Sequence, residues 1–281
     1  MEKEKPIGVF DSGIGGLTVV KRLASMLPAE NLVYFGDTAR VPYGSKSNST
    51  VIEYSLQNAH FLMEKNVKAI VVACNTASSV AIQELKNHFK VPIIGMIEPG
   101  AKYALSSSAT GRIGVIGTRA TINNQAYSQE IKKFNPGVKV FEKACPLFVP
   151  LAEEGWIEHT ATYEIAEEYL KDLRDLNIDT LVLGCTHYPI LANVIQKIIG
   201  ENVKLIDSGI ASAEVVRSEI SRIGFETNSF GIGNIQFYVS DIPAKFQEVA
   251  ELFLGRPIND VQKVDLEYLT AFNLRKFSLP E

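Results

Sequence analysis

What this chain has little of narrows its function before any motif is read. Three cysteines in 281 residues are too few, and an odd number, for a disulfide framework; they point to free thiols in a reducing compartment, the cytoplasm. Basic residues are not in excess: 28 Lys and Arg stand against 32 Asp and Glu, a formal charge of −4, so no electrostatic footprint for nucleic acid is present and none is expected as a direct partner. No apolar run approaches the roughly 20 residues that span a bilayer. The opening "MEKEKP" leads into only "IGVF", which fits neither a secretory signal nor a transit peptide. No C-x-x-C or H-x-x-H spacing occurs, which removes the usual framework of a metal site and of a redox pair. Long low-complexity linkers are absent as well.

What is there is a chain long enough for two domains, with 46% hydrophobic residues to fill their cores. Short β-rich runs, "IGVF" (7–10), "LVYF" (32–35), "AIVVA" (69–73) and "VPIIG" (91–95), alternate with longer helical stretches, the βαβ signature of a parallel sheet. In "ATYEIAEEYLKDLRDL", Ala166, Leu170 and Leu173 recur at helical spacing, and Ile165 and Tyr169 widen the same stripe. A faint repeat runs through the whole. "IGVFDSG" returns as "IGVIGTR", "AIVVACNTA" as "TLVLGCTHY" and "VPIIGM" as "VKLIDS", in the same order and displaced by about 110 residues each time. The expected fold class is therefore α/β, with two pseudo-symmetric α/β domains whose parallel sheets face each other across a cleft. Residues 1–97 plus 212–281 would form the first domain, with "IQFYV" (235–239) returning to it, and residues 98–211 the second.

The repeat makes a pair of two cysteines. Cys74 ends "AIVVA" and Cys185 ends "TLVLG", and the carboxyl ends of parallel strands are where ligands bind in such sheets. A helix N-terminus behind each thiol is expected to stabilise a thiolate and lower its pKa. Opposed thiols suit racemisation or epimerisation, in which one base removes a proton from one face of a stereocentre and an acid returns one to the other. Each cysteine alone also reads as a small buried hydrophobe, which is how Cys145 in "KACPLF" is read. Within "GCTHYP", Cys185 with His187 also allows a nucleophile with its base or part of a metal site, and His187 a helix-start residue. His60, His88 and His159 read as surface or structural.

The loop "VFDSGIGGLTVV" sets Asp11 and Ser12 at a strand end before Gly13, Gly15 and Gly16, and Asp37 follows at a distance that mimics a dinucleotide-binding loop. Thr18 occupies that motif's third glycine position, and Asp11 would stand beside a pyrophosphate, both against a nucleotide. An α-amino acid fits better. Its ammonium calls for a carboxylate such as Asp11, and its carboxylate for donors in "NTASS" (75–79), "CTH" (185–187) and "PYGS" (42–45). Glu153 and Glu154 form a solvated acidic face or send one carboxylate into the cleft. A two-lobed binding protein without catalysis is the remaining class.

With "GDTARVPYG", "GMIEPG" and "CPLFVPLAEEG", the segments "FDSGIGGL", "ACNTAS" and "GCTHYP" resemble, in content and order from Phe10 to Pro189, the motifs of the cofactor-independent aspartate/glutamate racemase superfamily, and within it of the glutamate racemases. The resemblance implies interconversion of L- and D-glutamate for bacterial peptidoglycan, with no cofactor and no metal, in a cytoplasmic enzyme that is usually a homodimer. Aspartate is the competing substrate. It also implies that Cys74 takes the α-proton of D-glutamate and Cys185 that of L-glutamate. Asp11 and His187 would assist the thiols, and Asp37 and Glu153 would be auxiliary catalytic groups. Asp11, Ser12, Pro42, Tyr43, Gly44, Ser45, Asn75, Thr76, Cys185, Thr186 and His187 fall on substrate-binding positions, and Thr118 and Thr121 in "GTRAT" on ligands of the substrate side chain. Closure about a hinge near Glu98 and Ser208 would keep water from the carbanion.

Overall fold

A computed structural model describes residues 2–229, 231–242 and 246–271. Its ten strands, in chain order, are β1 (Ile7–Asp11), β2 (Leu32–Gly36), β3 (Ala69–Val72), β4 (Ile93–Ile94), β5 (Arg112–Gly117), β6 (Lys139–Ala144), β7 (Thr180–Gly184), β8 (Lys204–Asp207), β9 (Ile235–Val239) and β10 (Val261–Lys263). They form two sheets, ordered β10-β9-β2-β1-β3-β4 and β6-β5-β7-β8, and every pairing between neighbours is parallel. Each residue of β1, β2, β3 and β7 is buried. Parallel strands covered by helices on both faces require that, which is why they appear in the sequence as unbroken apolar runs.

The repeat is present in the topology. In the first sheet β2, β1, β3 and β4 are neighbours in that order, and in the second β6, β5, β7 and β8 repeat it. The matched segments thus occupy matched places: β1 with β5, β3 with β7, β4 with β8. The strand Ile235–Val239 lies against β2, so the chain returns to the first sheet after completing the second. Of the segment 212–281, residues 230, 243–245 and 272–281 lie outside the described residues. A short strand, β10, and a helix, Leu266–Thr270, extend this part beyond what the sequence pattern suggests.

Strand alternation divides the side chains among three cores. From β3, Ala69 and Val71 join one apolar cluster and Ile70 and Val72 another; from β7, Leu181 and Leu183 enter the first of these and Val182 a third. The first cluster contains residues of both sheets, so one continuous apolar mass joins the lobes. The helix Thr160–Asp175 buries Ala166, Leu170 and Leu173, the stripe its spacing predicts, while Ile165 and Tyr169 are packed at its margin. The hinge positions Glu98 and Ser208 stand in the first turns of the helices Ile97–Ser107 and Ser208–Arg222. Where the chain re-enters the first lobe, the buried Lys68 ammonium is held by Glu30 and by the carbonyls of Lys3 and Phe225. That ion pair ties the crossover to the amino-terminal edge of the sheet.

Candidate functional site

The carboxyl ends of β1, β3, β5 and β7 converge on the groove between the lobes. Cys74 caps the short helix Asn75–Ser78, its sulfur accepting the Ala77 N–H at 3.4 Å. Cys185 caps no helix: a turn, a 3-10 segment (Tyr188–Leu191) and only then the helix Ala192–Ile199 follow it, and its sulfur meets His187 Nδ1 at 3.8 Å. Equivalent places in the repeat thus carry different partners. Both thiols are buried, and the charge of Cys185 is one of the influences that raise the Cys74 pKa.

The expectation of a lowered thiol pKa does not hold for Cys74. Burial and the neighbouring Asp11 carboxylate push it up to about 12, against the opposing pull of the Ala77 amide and the Ser12 hydroxyl. One short helix cannot outweigh a dry pocket with a carboxylate beside it. In the ligand-free site Cys74 is therefore a thiol at neutral pH.

Asp11, at the end of β1, has no exposed surface. Its Oδ2 accepts the Gly16 N–H at 2.9 Å and the Gly13 N–H at 3.2 Å, whereas its buried Oδ1 has no hydrogen-bond partner. Burial raises its pKa, while the His187 charge and the loop amides oppose the rise. Loop amides that would cradle a pyrophosphate are thus taken by the loop's own carboxylate, which removes the dinucleotide reading on geometry. Thr18, which departs from that nucleotide motif, joins the two loops instead, its hydroxyl donating to the carbonyls of Gly15 and Thr186, each at 2.9 Å.

His187 is buried and bonded on both sides, with Nε2 at 2.9 Å from Glu153 Oε1 and its ring edge toward Phe253. Burial alone would push the imidazole down, but the Cys185 sulfur and the Glu153 carboxylate outweigh it and raise the pKa to about 10. Glu153 ends the helix Phe148–Glu153 and is partly exposed, so one acid of the "EE" pair does reach the site. A group whose folded-state pKa is raised stabilises the fold fully below its unfolded value and loses that contribution as pH rises through the folded value. For His187 the window runs from about 6.5 to about 10. We expect the stability gap between wild type and His187→Gln, measured by urea unfolding, to narrow steadily across that window and to be constant below it.

Hydroxyls line the other end. Thr76, Thr118 and Thr121 bring their Oγ1 atoms within 2.9 to 3.4 Å of one another; Thr76 comes from the first lobe, Thr118 caps the helix Arg119–Asn123 that follows β5, and Thr121 lies within that helix. Asn75 accepts the Tyr127 hydroxyl at 2.7 Å, a contact between lobes, and Thr186 is buried beside His187. Gly44 faces Thr118 so closely that a Cβ there would lie 2.9 Å from the threonine Cβ. Tyr43 is buried, but Pro42 and Ser45 are on the exposed side of the same turn, Ser45 bonded back to the Pro42 carbonyl. Asp37, which the resemblance makes auxiliary to catalysis, spends its oxygens on Arg40, Tyr43 and Ser240.

Several residues of this site carry no signal of their own in the sequence. Tyr34, inside a strand, donates to the Gly13 carbonyl at 2.6 Å; Tyr127 and Ser208 hold Asn75. Only the juxtaposition of distant segments reveals them. His88 ends the helix Ile82–His88 and His159 caps the helix Thr160–Asp175, structural positions as the sequence indicates, and Cys145 is buried. A cavity of about 1110 Å³ is lined by Lys86, Glu98 and Arg222 among others, and neither Cys74 nor Cys185 lines it.

Residues 7–216 match the Asp/Glu/Hydantoin racemase family. The chain is 52% identical over 264 residues to the glutamate racemase of Geobacter metallireducens, covering 94% of this chain and 97% of that protein. Among solved structures, it is similar to the glutamate racemase of Francisella tularensis in complex with D-glutamate, with a TM-score of 0.89 and 41% identity over 96% of this chain and 100% of that one. The glutamate racemase of Bacillus anthracis superposes with a TM-score of 0.90 at 36% identity, covering 94% and 98% of the two chains.

Proposed function

The chain belongs to the Asp/Glu/Hydantoin racemase family, and from that premise we propose that it interconverts L- and D-glutamate by passing protons between Cα and two thiols, Cys74 and Cys185. The observation that carries this reading is the pair of cysteines at matching strand ends of the two lobes, with Asp11, one oxygen of which has no partner, near Cys74. The substrate ammonium seats against Asp11 Oδ1. Its carboxylates take the hydroxyls of Ser12, Thr76, Thr118, Thr121 and Thr186 and the backbone amides of the Tyr43–Gly44 turn, with Asn75 fixing the floor.

Binding would then change the chemistry of Cys74. The Asp11 charge that disfavours its thiolate is neutralised by the incoming ammonium, so the base is released when substrate is present to use it. Cys74 removes the α-proton of D-glutamate and Cys185 that of L-glutamate, each sulfur serving as acid in the opposite direction. His187, as imidazolium, donates to Cys185 and is oriented by Glu153, while the fixed donors stabilise the carbanion in a water-poor groove.

The lobes of this scheme are residues 1–97 plus 212–281 and residues 98–211. The enzyme works in the cytoplasm, as a homodimer, and supplies D-glutamate for bacterial peptidoglycan. Among the described residues no helix is long and apolar enough to cross a membrane. The test is polarimetry on each enantiomer of glutamate and aspartate without added pyridoxal phosphate. Turnover of both glutamate enantiomers, well above that of aspartate, is expected; inert glutamate would sink the reading, and faster aspartate would reassign the substrate.

A further inference from the structure

The loop after β2 carries a buried guanidinium that the mechanism does not use. Arg40 is nearly inaccessible, and Asp37 beside it is fully so. The Arg40 Nε donates to both Asp37 oxygens, at 2.9 and 2.7 Å; one terminal nitrogen donates to Gln57 Oε1 and the other to Asn58 Oδ1 at 3.1 Å. Its plane lies over the Tyr54 ring, 4.0 Å from the centroid. Each of its three nitrogens is therefore bonded, and one face of its plane is covered. As a source of stability such an assembly is poor, because desolvating two charges offsets most of their attraction.

What the assembly does control is one hydroxyl. Tyr43 OH donates to Asp37 Oδ2 and accepts the Asn58 amide at 3.0 Å, and both of those partners are themselves held by Arg40. With its carbonyl oxygen taken by Arg40, Asn58 has its NH₂ turned to Tyr43. Tyr43 begins the turn whose Gly44 abuts Thr118 of the opposite lobe, and Thr118 in turn meets Thr76. The carboxyl end of β9 is bound into the same unit, since Ser240 donates to Asp37 Oδ1 and accepts the Ala39 N–H, each at 2.9 Å.

We propose that Arg40 is a positioning residue for substrate binding: through Asp37 and Asn58 it fixes the Tyr43 hydroxyl, and thereby holds the Tyr43–Gly44 turn at the distance from Thr118 that the substrate carboxylate requires. It touches no reacting atom. The inference rests on the assignment of that turn to the substrate in the proposed racemase. Lysine keeps the charge but lacks the planar fork, so it cannot serve Asp37, Gln57 and Asn58 together.

The test is steady-state racemisation of both glutamate enantiomers by the full-length enzyme and by Arg40→Lys, Tyr43→Phe and the double variant, with melting temperature measured in parallel. Arg40→Lys is expected to raise KM about 10-fold for both enantiomers and to leave kcat within about 3-fold, because the turn binds ground and transition states alike. Tyr43→Phe, which keeps the ring and the Arg40–Asp37 pair, is expected to raise KM in the same way and serves if the arginine variant does not fold. If Arg40 acts through Tyr43, the double variant has a KM within about 2-fold of the worse single variant. An unchanged KM in either single variant, or multiplied effects in the double, overturns the proposal. A purely structural role would lower the melting temperature and the active fraction without moving KM. Failure of the wild type to racemise glutamate would instead remove the functional reading itself.

Discussion

Cys74→Ser and Cys185→Ser are each expected to lower glutamate racemisation by about 10²–10⁴-fold, the contribution of a positioned acid or base. Serine keeps the shape of the side chain with a slightly smaller atom at both buried sites, so melting temperatures should stay close to wild type. The hydroxyl cannot serve as a base near neutral pH, which removes one proton-transfer partner and leaves the other in place. The two variants should therefore fail in different half-reactions. With Cys185 intact, Cys74→Ser should still take the α-proton of L-glutamate, and Cys185→Ser that of D-glutamate; the captured proton is mostly returned, so deuterium from the solvent should enter only slowly, over many such cycles, as NMR would follow directly. The partners of the sulfurs explain why two identical side chains behave differently: Cys74 answers to Asp11 and the Ala77 amide, Cys185 to His187. Full racemisation in either variant would remove that cysteine from the mechanism.

Gly15→Ala should produce the next largest loss, about 10²-fold in kcat, the scale at which a misplacement of an ångström acts on an ordered site. A Cβ on Gly15 would stand 2.4 Å from Thr186 Oγ1 and 2.5 Å from both Nδ1 and Cε1 of His187. The imidazole and the Thr186 backbone cannot simply swing away. His187 is anchored by Glu153 and packed on Phe253, and the Thr186 carbonyl is tied to Thr18. The added methyl must separate the two loops or rotate the imidazole away from Cys185, at an overpacking cost of about 1–3 kcal/mol. Proton abstraction from L-glutamate should suffer most, so the primary isotope effect with α-deuterated substrate should rise more for the L than for the D enantiomer. Gly137→Ala, whose Cβ would meet only Asn135 Oδ1 at 3.4 Å, is the control and should leave turnover unchanged. Wild-type kcat in Gly15→Ala would mean that His187 need not hold its place beside Cys185.

The fold is legible because its physics is local in pattern. Parallel strands buried on both faces must be apolar throughout, so β1, β3, β5 and β7 stand out as runs, and their repetition at a constant displacement yields the two matching sheets. The helix Thr160–Asp175 is legible for the same reason, with a spacing that names its buried face. The pairing of Cys74 with Cys185 follows from the repeat, but their environments do not. The carboxylate that holds Cys74 as a thiol sits at the end of a neighbouring strand, and the helix expected behind Cys185 is preceded by a 3-10 turn that puts His187 there instead. Arg40 gives no signal because its partners come from Asp37, Gln57, Asn58 and Tyr54. Thr18 looks like a flaw in a glycine motif until its hydroxyl is found on the Thr186 carbonyl. The turn 42–45 reads as a unit, whereas the fold buries Tyr43, presses Gly44 on Thr118 and leaves Pro42 and Ser45 outside.

The central claim is that two different groups exchange protons with the two faces of Cα. Its most direct measurement is the isotopic content of substrate and product when each glutamate enantiomer, carrying protium at Cα, is racemised by the wild-type enzyme in deuterated water and sampled at low conversion. Two opposed thiols require product that carries deuterium from the solvent-exchanged acid, while recovered substrate, reprotonated by the sulfur that took its proton, still carries protium. Product that retains the substrate's own α-protium would mean that one group serves both faces, and would contradict the assignment of Cys74 and Cys185 as a pair.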